Sequence, residues 1–324
     1  MWLSKESYLV TATTNTTSLP VRPKRVMSLS RREARNAYLL ITPWIIGFII
    51  FTLGPMIASL IFSFTNYSIA RPPMKFLGLA NFIQMFFHDY RFWLSLRVTL
   101  TFAIFAIPLG LVFGLLLALL LNAKVPGIAI WRTLYYTPSV VSGVAVAILW
   151  LYLFNPQYGV INWLLSLVKV QGPGWLTSPD WALPALIIMS LWGVGGGMII
   201  YLAGLQGIPT TLYEAAEVDG ANSIQKFFNI TLPLITPVLF YNLVIGIIGT
   251  FQYFTNAYVM TSGGPVERTL FYNLYLYNNA FSYQEMGYAS AMAWFLFFLV
   301  LVLTMLVFRS SAMWVYYEGE LKRN

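Results

Sequence analysis

The stretch Glu214–Pro233 reads EAAEVDGANSIQKFFNITLP and lies between two long apolar segments. It contains Glu214, Glu217 and Asp219, three of the eleven acidic residues in the chain. Apolar residues at helical spacing accompany these acids, so the stretch predicts an amphipathic helical elbow. An exposed apolar strip surrounded by charge usually meets a partner protein. We therefore take this elbow as the feature around which the chain is organised.

The elbow is predicted to consist of a helix, a break and a second short helix. Proline is favoured as the first residue of a helix, where its missing N–H costs nothing. Glycine is favoured where a helix stops, and Asn or Ser caps the start of the next one. The boundary residues are Pro209 (start), Gly220 (break), Asn222 or Ser223 (cap), Phe228 (end), and Thr231 with Pro233, which restart the chain into the next apolar run.

The composition places the chain in a membrane. Of its 324 residues 58% are hydrophobic and 9% are charged, with a mean hydropathy of +0.70, whereas soluble domains carry about 25% charged residues. The net charge of +8 does not indicate nucleic-acid binding, because the basic residues concentrate in one tail and in short loops. The chain has no cysteine, so nothing indicates a disulfide framework, a thiolate nucleophile or a Cys-ligated metal.

A membrane-spanning helix needs about 20 apolar residues, and the chain offers six such segments. We expect an all-α polytopic protein in which residues 37–309 form the membrane domain, between tails at 1–36 and 310–324, with the elbow in a loop at 206–233. The predicted spans are Tyr38–Phe64, Leu94–Leu121, Trp131–Phe154, Trp181–Leu205, Ile235–Asn256 and Gly287–Phe308.

The Lys and Arg residues predict the orientation. With the first tail inside, the cytoplasmic segments hold thirteen of them and the external segments five, as the positive-inside rule requires. Residues 1–36 carry seven and show no apolar signal core near the start, so a retained cytoplasmic tail is expected. Both termini and the elbow are therefore predicted to be cytoplasmic.

The elbow resembles the EAA loop of permease subunits in binding-protein-dependent ABC importers. The positions that match at the family's spacing are Glu214, Ala215, Ala216, Gly220, Ile230, Leu232 and Pro233. In that family the loop contacts the ATPase. The resemblance therefore implies that Glu214, Ala215, Ala216, Gly220, Leu232 and Pro233 couple this chain to an ATPase.

The resemblance extends from about Ala37 to Phe308, and over this range the chain is similar to carbohydrate permeases of the maltose and glycerol-phosphate type. The chain also resembles an alginate-importer permease. One departure is Val98, where many relatives carry Asn before the threonine matched by Thr99, which weakens inference about the substrate from this part. Other matching segments are Trp131–Pro138, Phe154–Pro156, Ala203–Pro209, Asp219–Ala221, Thr261–Pro265 and Gly287–Ala291.

The resemblance implies a transport subunit of a type I ABC importer, not an enzyme. Such a permease moves a sugar or oligosaccharide, acidic ones included, from a periplasmic binding protein across the bacterial inner membrane. A second homologous permease and two ATPase subunits are implied as partners, and the ATPase subunits bind the ATP and Mg, so no cofactor is expected in this chain. The chain itself has no Gly-x-x-x-x-Gly-Lys-Ser/Thr sequence to hold ATP phosphates.

The fifth predicted span carries a polar stripe. Asn242, Gly249 and Asn256 repeat every seven residues, and Gln252 follows Gly249 by three, so all four are predicted to share one helical face, flanked by Tyr253. A polar stripe in hydrocarbon faces protein or water. It either lines a substrate path, where amides and tyrosine bind sugar hydroxyls, or joins helices through hydrogen bonds worth about 0.6 kcal/mol each.

Arg97 and the glycine-rich run Gly193–Gly197 each allow two interpretations. Arg97 lies near the edge of the second span. It either snorkels to the outer interface or faces the substrate path, where it would favour an anionic saccharide. The glycines either permit close helix packing or provide a flexible point in a gate.

Other function classes lack their usual residues. An ion- or proton-coupled secondary transporter, the main alternative, needs acids within the spans or an inverted repeat with interrupted helices, and neither is evident. A non-transporting scaffold leaves the polar stripe unexplained. The one histidine, His88, lies in an external loop and is expected to be solvated or packed. We predict no catalytic residue and no metal site.

Overall fold

The computed structural model describes residues 29–123 and 125–316, with side chains from residue 33. Over these ranges the chain is helical, with no strand apart from one isolated bridge between Thr65 and Phe76. The predicted tail residues 1–28 and 317–324 lie outside this description. The helices are α1 (Leu29–Phe48), α2 (Gly54–Ser63), α3 (Ala80–Ile83), α4 (Tyr90–Leu121), α5 (Ile128–Val140), α6 (Gly143–Leu153), α7 (Val160–Leu167), α8 (Ala182–Leu191), α9 (Gly195–Gln206), α10 (Thr210–Val218), α11 (Ser223–Lys226), α12 (Leu232–Phe251), α13 (Thr255–Met260), α14 (Tyr272–Tyr277) and α15 (Met286–Trp314).

Four stretches are long and apolar enough to cross a bilayer on their own, and they contain the second, fifth and sixth predicted spans and all of the first except Phe64. They are Glu33–Ser63, Tyr90–Leu121, Ser223–Met260 and Met286–Trp314. The third and fourth predicted spans are bent pairs of helices, α5 with α6 at 101° and α8 with α9 at 41°. Counting each bent pair as one span gives six, in agreement with the sequence.

The third span is not the single helix that the sequence predicts for Trp131–Phe154. Val141 and Ser142 adopt extended backbone conformations between α5 and α6. Pro138 has already weakened the end of α5, because proline offers no N–H for the helical hydrogen bond. α6 consequently turns away from α5 and packs against α13.

Helix α4 is the centre of the unit that begins at Ile57, where it packs against α8, α9, α12 and α14. Near its start, Phe92 and Phe102 lie in an aromatic core with Tyr272 and Phe271 respectively. Towards its end, Leu115 packs in a second apolar cluster that α9 and α12 complete. The residues up to Met56 form a separate compact unit, whose described part contains α1 and a π-helical turn at Ile49–Leu53.

Asp89 fixes the end of α4 that is remote from the elbow. One carboxylate oxygen accepts a hydrogen bond from the backbone N–H of Phe92, at 3.1 Å, and so caps the helix. The other accepts hydrogen bonds from the hydroxyls of Tyr275, at 2.8 Å, and of Tyr288. Helices α14 and α15 are thereby attached to the start of α4.

The glycine-rich run lets α9 approach α5 closely. A Cβ atom at Gly195 would overlap the backbone carbonyl of Tyr135, which cannot move without shifting α5. This supports the close-packing interpretation at Gly195. The same run also includes the bend, because Trp192–Val194 separates α8 from α9.

We expect Gly195→Ala to destabilise the protein by about 1–3 kcal/mol, because overpacking of this size forces backbone shifts. Gly110→Ala is the matched control, since a Cβ at helical Gly110 meets no atom within 4 Å and alanine favours a helix over glycine. The thermal unfolding temperature of the purified protein in detergent measures both. Equal unfolding temperatures for Gly195→Ala and the native protein would contradict close packing.

Candidate functional site

The first helix of the elbow, α10, begins at Thr210. Pro209 is the residue before it, so the prediction that Pro209 is the first helical residue is off by one. The helix ends in a Schellman motif, in which Gly220 N–H bonds to Glu217 O at 3.1 Å and Ala221 N–H bonds to Ala216 O at 2.8 Å. Gly220 has φ +73°, a conformation that glycine adopts without strain. The predicted break is confirmed.

The second helix of the elbow does not end at Phe228. Asn222 caps it through a capping box, in which Asn222 and Gln225 exchange side chain to backbone hydrogen bonds of 2.9 and 2.8 Å. From there the chain continues through a π-helical turn, Phe227–Thr231, directly into α12. The predicted restart at Thr231 and Pro233 falls at the start of α12, with Thr231 directly before it and Pro233 in its first turn, where a missing N–H is tolerated.

Two side-chain contacts brace α10 against this second helix. Lys226 Nζ lies 2.8 Å from Glu217 Oε1, and the Tyr213 and Thr231 hydroxyls lie 2.9 Å apart. Lys226 lowers the pKa of the Glu217 carboxyl, through the hydrogen bond and through its charge. A lowered carboxyl pKa means that the ion pair is present at neutral pH and is lost only as the pH falls through that pKa. The elbow is therefore internally cross-linked.

Glu214, the acid at the first matched position of the motif, is free. Glu214 is exposed, and no residue that the structure describes forms an ion pair or side-chain hydrogen bond with it. Ala215 beside it is also exposed, and the elbow presents Val218 and Ile224 with 89% and 69% of their surfaces accessible. Apolar side chains around an unpaired carboxylate form the kind of surface that a partner covers.

The other predicted coupling residues are arranged differently. Ala216 is half-buried, and Gly220 is exposed at the turn. Leu232 and Pro233 are half-buried at the start of α12, where Leu232 packs on the apolar cluster around Leu205 and Ile235. The motif thus combines residues that face outward with residues that fasten the elbow to the helix bundle.

A cavity of about 270 Å³ lies in the middle of the bundle, between α4, the α8–α9 bend and α12. No charged side chain lines it. Five glycines give it room, and the polar groups come from serine, threonine, asparagine and tyrosine. The lining residues are Phe102, Ala106, Ile107, Gly110, Leu111, Ser190, Gly193, Val194, Gly197, Tyr201, Asn242, Gly246, Gly249, Thr250 and Tyr253.

Two tyrosines and an asparagine line this cavity together with the glycines. The hydroxyls of Tyr201 and Tyr253 are buried behind the lining, the latter beside the Asn256 side chain. Asn242 donates its amide N–H to Val238 O at 2.9 Å, and its carbonyl oxygen lies next to Gly197. The cavity is thus lined by uncharged polar residues and aromatic rings.

The backbone breaks of two spans border the same cavity. Gly193 and Val194 belong to the α8–α9 bend, and Tyr253 belongs to the non-helical segment between α12 and α13. Non-helical backbone at membrane depth is tolerated where protein or a water-filled cavity satisfies it. Discontinuous helices of this kind border the substrate sites of many transporters.

The predicted path residues divide into two groups. Asn242 and Tyr253 line the central cavity, whereas Gln252, Asn256 and Arg97 do not. The prediction of one continuous polar face is wrong, because α12 ends at Phe251 and Asn256 belongs to the separate helix α13. Gln252 is exposed, and the side-chain oxygen of Asn256 is buried beside the Tyr253 hydroxyl. Arg97 borders a second cavity.

Sequence reasoning missed Tyr201 and Ser190, which bring hydroxyls to the cavity from the fourth span. Both were visible as isolated polar residues in an otherwise apolar segment. Nothing local distinguishes them from other such residues, however, because their importance depends on the approach of α4 and α12. His88 is exposed at the end of a π-helical turn, and within the described ranges no three His, Asp or Glu residues could hold a metal ion.

Comparison with known proteins gives consistent matches. Residues 110–316 match the family described as binding-protein-dependent transport system inner membrane component. The chain is 48% identical over 294 residues to a probable ABC transporter permease of Bacillus subtilis, YesP, covering 90% of this chain and 94% of that one. It is 34% identical over 277 residues to the trehalose/maltose permease MalF of Thermococcus litoralis, covering 85% and 93%.

Solved structures agree with the sequence matches. A chain of a bacterial alginate ABC transporter, crystallised with a periplasmic protein that holds an alginate pentasaccharide, superposes with a TM-score of 0.77. It shares 28% identity, and the match covers 87% of this chain and 96% of that chain. The predicted all-α permease fold is thereby confirmed. The chain belongs to the inner-membrane components of binding-protein-dependent transport systems, as a permease subunit of a sugar ABC importer.

Proposed function

We propose that this permease carries a saccharide through the central cavity, driven by ATPase subunits that dock on the elbow. The observation that carries the proposal is the braced elbow, which presents an unpaired Glu214 among exposed apolar side chains. A surface that must transmit motion has to be stiff, and the Glu217–Lys226 and Tyr213–Thr231 contacts supply that stiffness. Such an elbow can pass a displacement to α12 and so to the cavity.

The assembly that we propose contains this chain, a second homologous permease, two ATPase subunits that bind ATP and Mg, and a periplasmic binding protein. Both termini and the elbow face the cytoplasm of a bacterial cell, as the distribution of Lys and Arg supports. The ATPase subunits then lie on the side of the membrane that holds ATP. No cofactor is required in this chain.

A saccharide is the substrate class that the cavity favours. Its lining offers hydroxyl and amide groups without charge, together with aromatic rings, and these groups bind sugar hydroxyls and sugar ring faces. Two relatives that are named for sugars support this class. MalF of Thermococcus litoralis is a trehalose/maltose permease, and another relative, from Rhizobium radiobacter, is a lactose permease. Ion- or proton-coupled transport finds no support, since no acidic side chain lines the cavity.

The first test is Glu214→Gln, measured as sugar-stimulated ATP hydrolysis by the reconstituted importer. We expect at least a tenfold loss, because removal of one partner from a buried interfacial ion pair costs about 2–5 kcal/mol. The fold should be unaffected, since Glu214 has no partner within the described chain.

Glu217→Gln is the matched control for this test, because the Glu217 carboxylate already forms an ion pair with Lys226. We expect a smaller loss of coupled hydrolysis, and the same loss in Lys226→Gln, since both remove the same internal contact. Full activity in both Glu214→Gln and Glu214→Lys would refute docking through Glu214.

The second test separates backbone strain from side-chain contact at the turn. Gly220→Val should abolish coupled hydrolysis, because φ +73° is strained for a β-branched residue. Gly220→Asn should retain most activity, since asparagine tolerates this conformation. A Cβ at this position meets no atom within 4 Å, so a clash cannot explain a difference. Normal hydrolysis by Gly220→Val would show that the shape of the turn is unimportant.

The third test concerns the cavity and uses Tyr253→Phe and Asn242→Ala. Tyr253→Phe removes a hydroxyl that is buried beside Asn256, so we expect a small change in thermal stability together with a clear loss of sugar uptake into proteoliposomes. A purely structural hydroxyl would lower both in parallel. Gln252→Ala is the control, because Gln252 is exposed outside the cavity. Loss of uptake in Gln252→Ala and Asn256→Ala alone would place the path elsewhere.

A further inference from the structure

A second cavity, of about 330 Å³, lies further towards the end of α4 that is remote from the elbow. It forms where α4 meets the start of α8 and the connection after α13. Its walls are mainly apolar, with Arg97, Asp180 and Arg268 as the charged groups. The lining residues are Leu94, Arg97, Val98, Thr101, Pro179, Asp180, Leu183, Pro184 and Arg268.

This outer cavity and the central cavity follow each other along α4. Leu94 and Val98 line the outer cavity, and Phe102, Ala106 and Gly110 line the central one. These five residues are spaced by four, so each lies next to the one before it but about 40° further round the helix, and the row winds around α4. At about 1.5 Å per residue, the centres of the two groups are separated by roughly 15 Å along the helix axis. A substrate that moves towards the elbow therefore passes the level of the outer cavity before that of the central one.

The two arginines of the outer cavity are unpaired. Three ion pairs form in the described part of the chain, Arg71–Glu285, Arg91–Glu267 and Lys226–Glu217. Neither Arg97 nor Arg268 makes an ion pair or a side-chain hydrogen bond with any described residue. The Glu267 carboxylate next to Arg268 is already held by Arg91 at 2.7 Å. Two guanidinium groups with free donors therefore border one small cavity.

The third charged residue, Asp180, indicates what kind of anion fits. Its carboxylate has no ion-pair partner within the described ranges, and it would repel a bare phosphate or carboxylate. A carboxylate accepts hydrogen bonds from hydroxyl groups, however, and the two guanidinium groups can bind a carboxylate in a bidentate manner. A sugar acid carries both kinds of group, a carboxylate for the arginines and hydroxyls for Asp180.

We propose that Arg97 and Arg268 bind the carboxylate of an acidic saccharide at the outer end of the path, with Asp180 accepting hydrogen bonds from its hydroxyl groups. This inference rests on the proposed function and narrows its substrate class to sugars that carry a carboxylate. The uncharged central cavity then receives the sugar rings after the carboxylate has been recognised.

The test compares galacturonate with galactose, which differ in having a carboxylate or a hydroxymethyl group at the same ring carbon. Binding to the purified permease assembly in phosphatidylcholine nanodiscs is measured by saturation-transfer NMR. We expect binding of galacturonate at least tenfold tighter than that of galactose, decreasing with added salt. Arg97→Gln and Arg268→Gln should each remove most of this preference, whereas Arg97→Lys should retain part of it. Equal binding of the two sugars would overturn the proposal.

Arg71→Gln is the control variant, because Arg71 is paired with Glu285 and does not line the cavity; its galacturonate preference should be unchanged. A second arm uses nanodiscs that contain phosphatidylglycerol. Loss of co-purified phosphatidylglycerol in Arg97→Gln and Arg268→Gln, with unchanged galacturonate binding, would assign the arginines to lipid phosphate and overturn the proposal. In that case the proposed function would still stand if ATP hydrolysis depended on Glu214 and was stimulated by a neutral sugar.

Discussion

Hydrocarbon offers no hydrogen bonds to a peptide group, so a membrane helix can be interrupted only where protein or water satisfies the freed groups. This constraint explains where the permease has its central cavity. The bend at Trp192–Val194 and the break at Gln252–Phe254 lie in different spans, yet both border the same space. Glycines on α4, α9 and α12 keep that space open, and close packing at Gly195 holds the bend against α5. The cavity and the helix interruptions therefore depend on each other.

The elbow meets the opposite requirement, because it must stay rigid in water. Its stiffness comes from several small contributions on neighbouring residues. A Schellman motif closes α10, a capping box opens α11, and Lys226 and Thr231 hold the two helices together. None of these contacts uses the side chain of Glu214 or Ala215, and both residues are exposed. Some residues of the elbow hold its two helices together and others face outward. So short a segment therefore needs a particular residue at most of its positions.

Local patterns in the sequence predicted most of the fold. Apolar runs located all six spans, and Gly220 with Asn222 located the turn of the elbow, because these features depend on residues close in sequence. The breaks at Val141–Ser142 and Gln252–Phe254 were not predicted, since each contains a single polar residue inside a long apolar run and no proline or glycine. The prediction of a polar stripe was correct for Asn242 and Gly249, which line the central cavity. It was wrong beyond Phe251, where the helix ends. The proximity of Arg97 to Arg268 arises only from the folding of distant segments.

The chain is helical without interruption from Ser223 to Phe251. The second helix of the elbow and α12, which forms one wall of the central cavity, are therefore one rod. At about 1.5 Å per residue, roughly 35 Å separates Ser223 from Gly246. A tilt of roughly 5° at the elbow would therefore sweep the glycine-lined wall through about 3 Å over this length, close to the diameter of a water molecule. The π-helical turn Phe227–Thr231 lies near the pivot of this lever. A small rotation at the elbow is thus amplified into a larger displacement of the cavity wall.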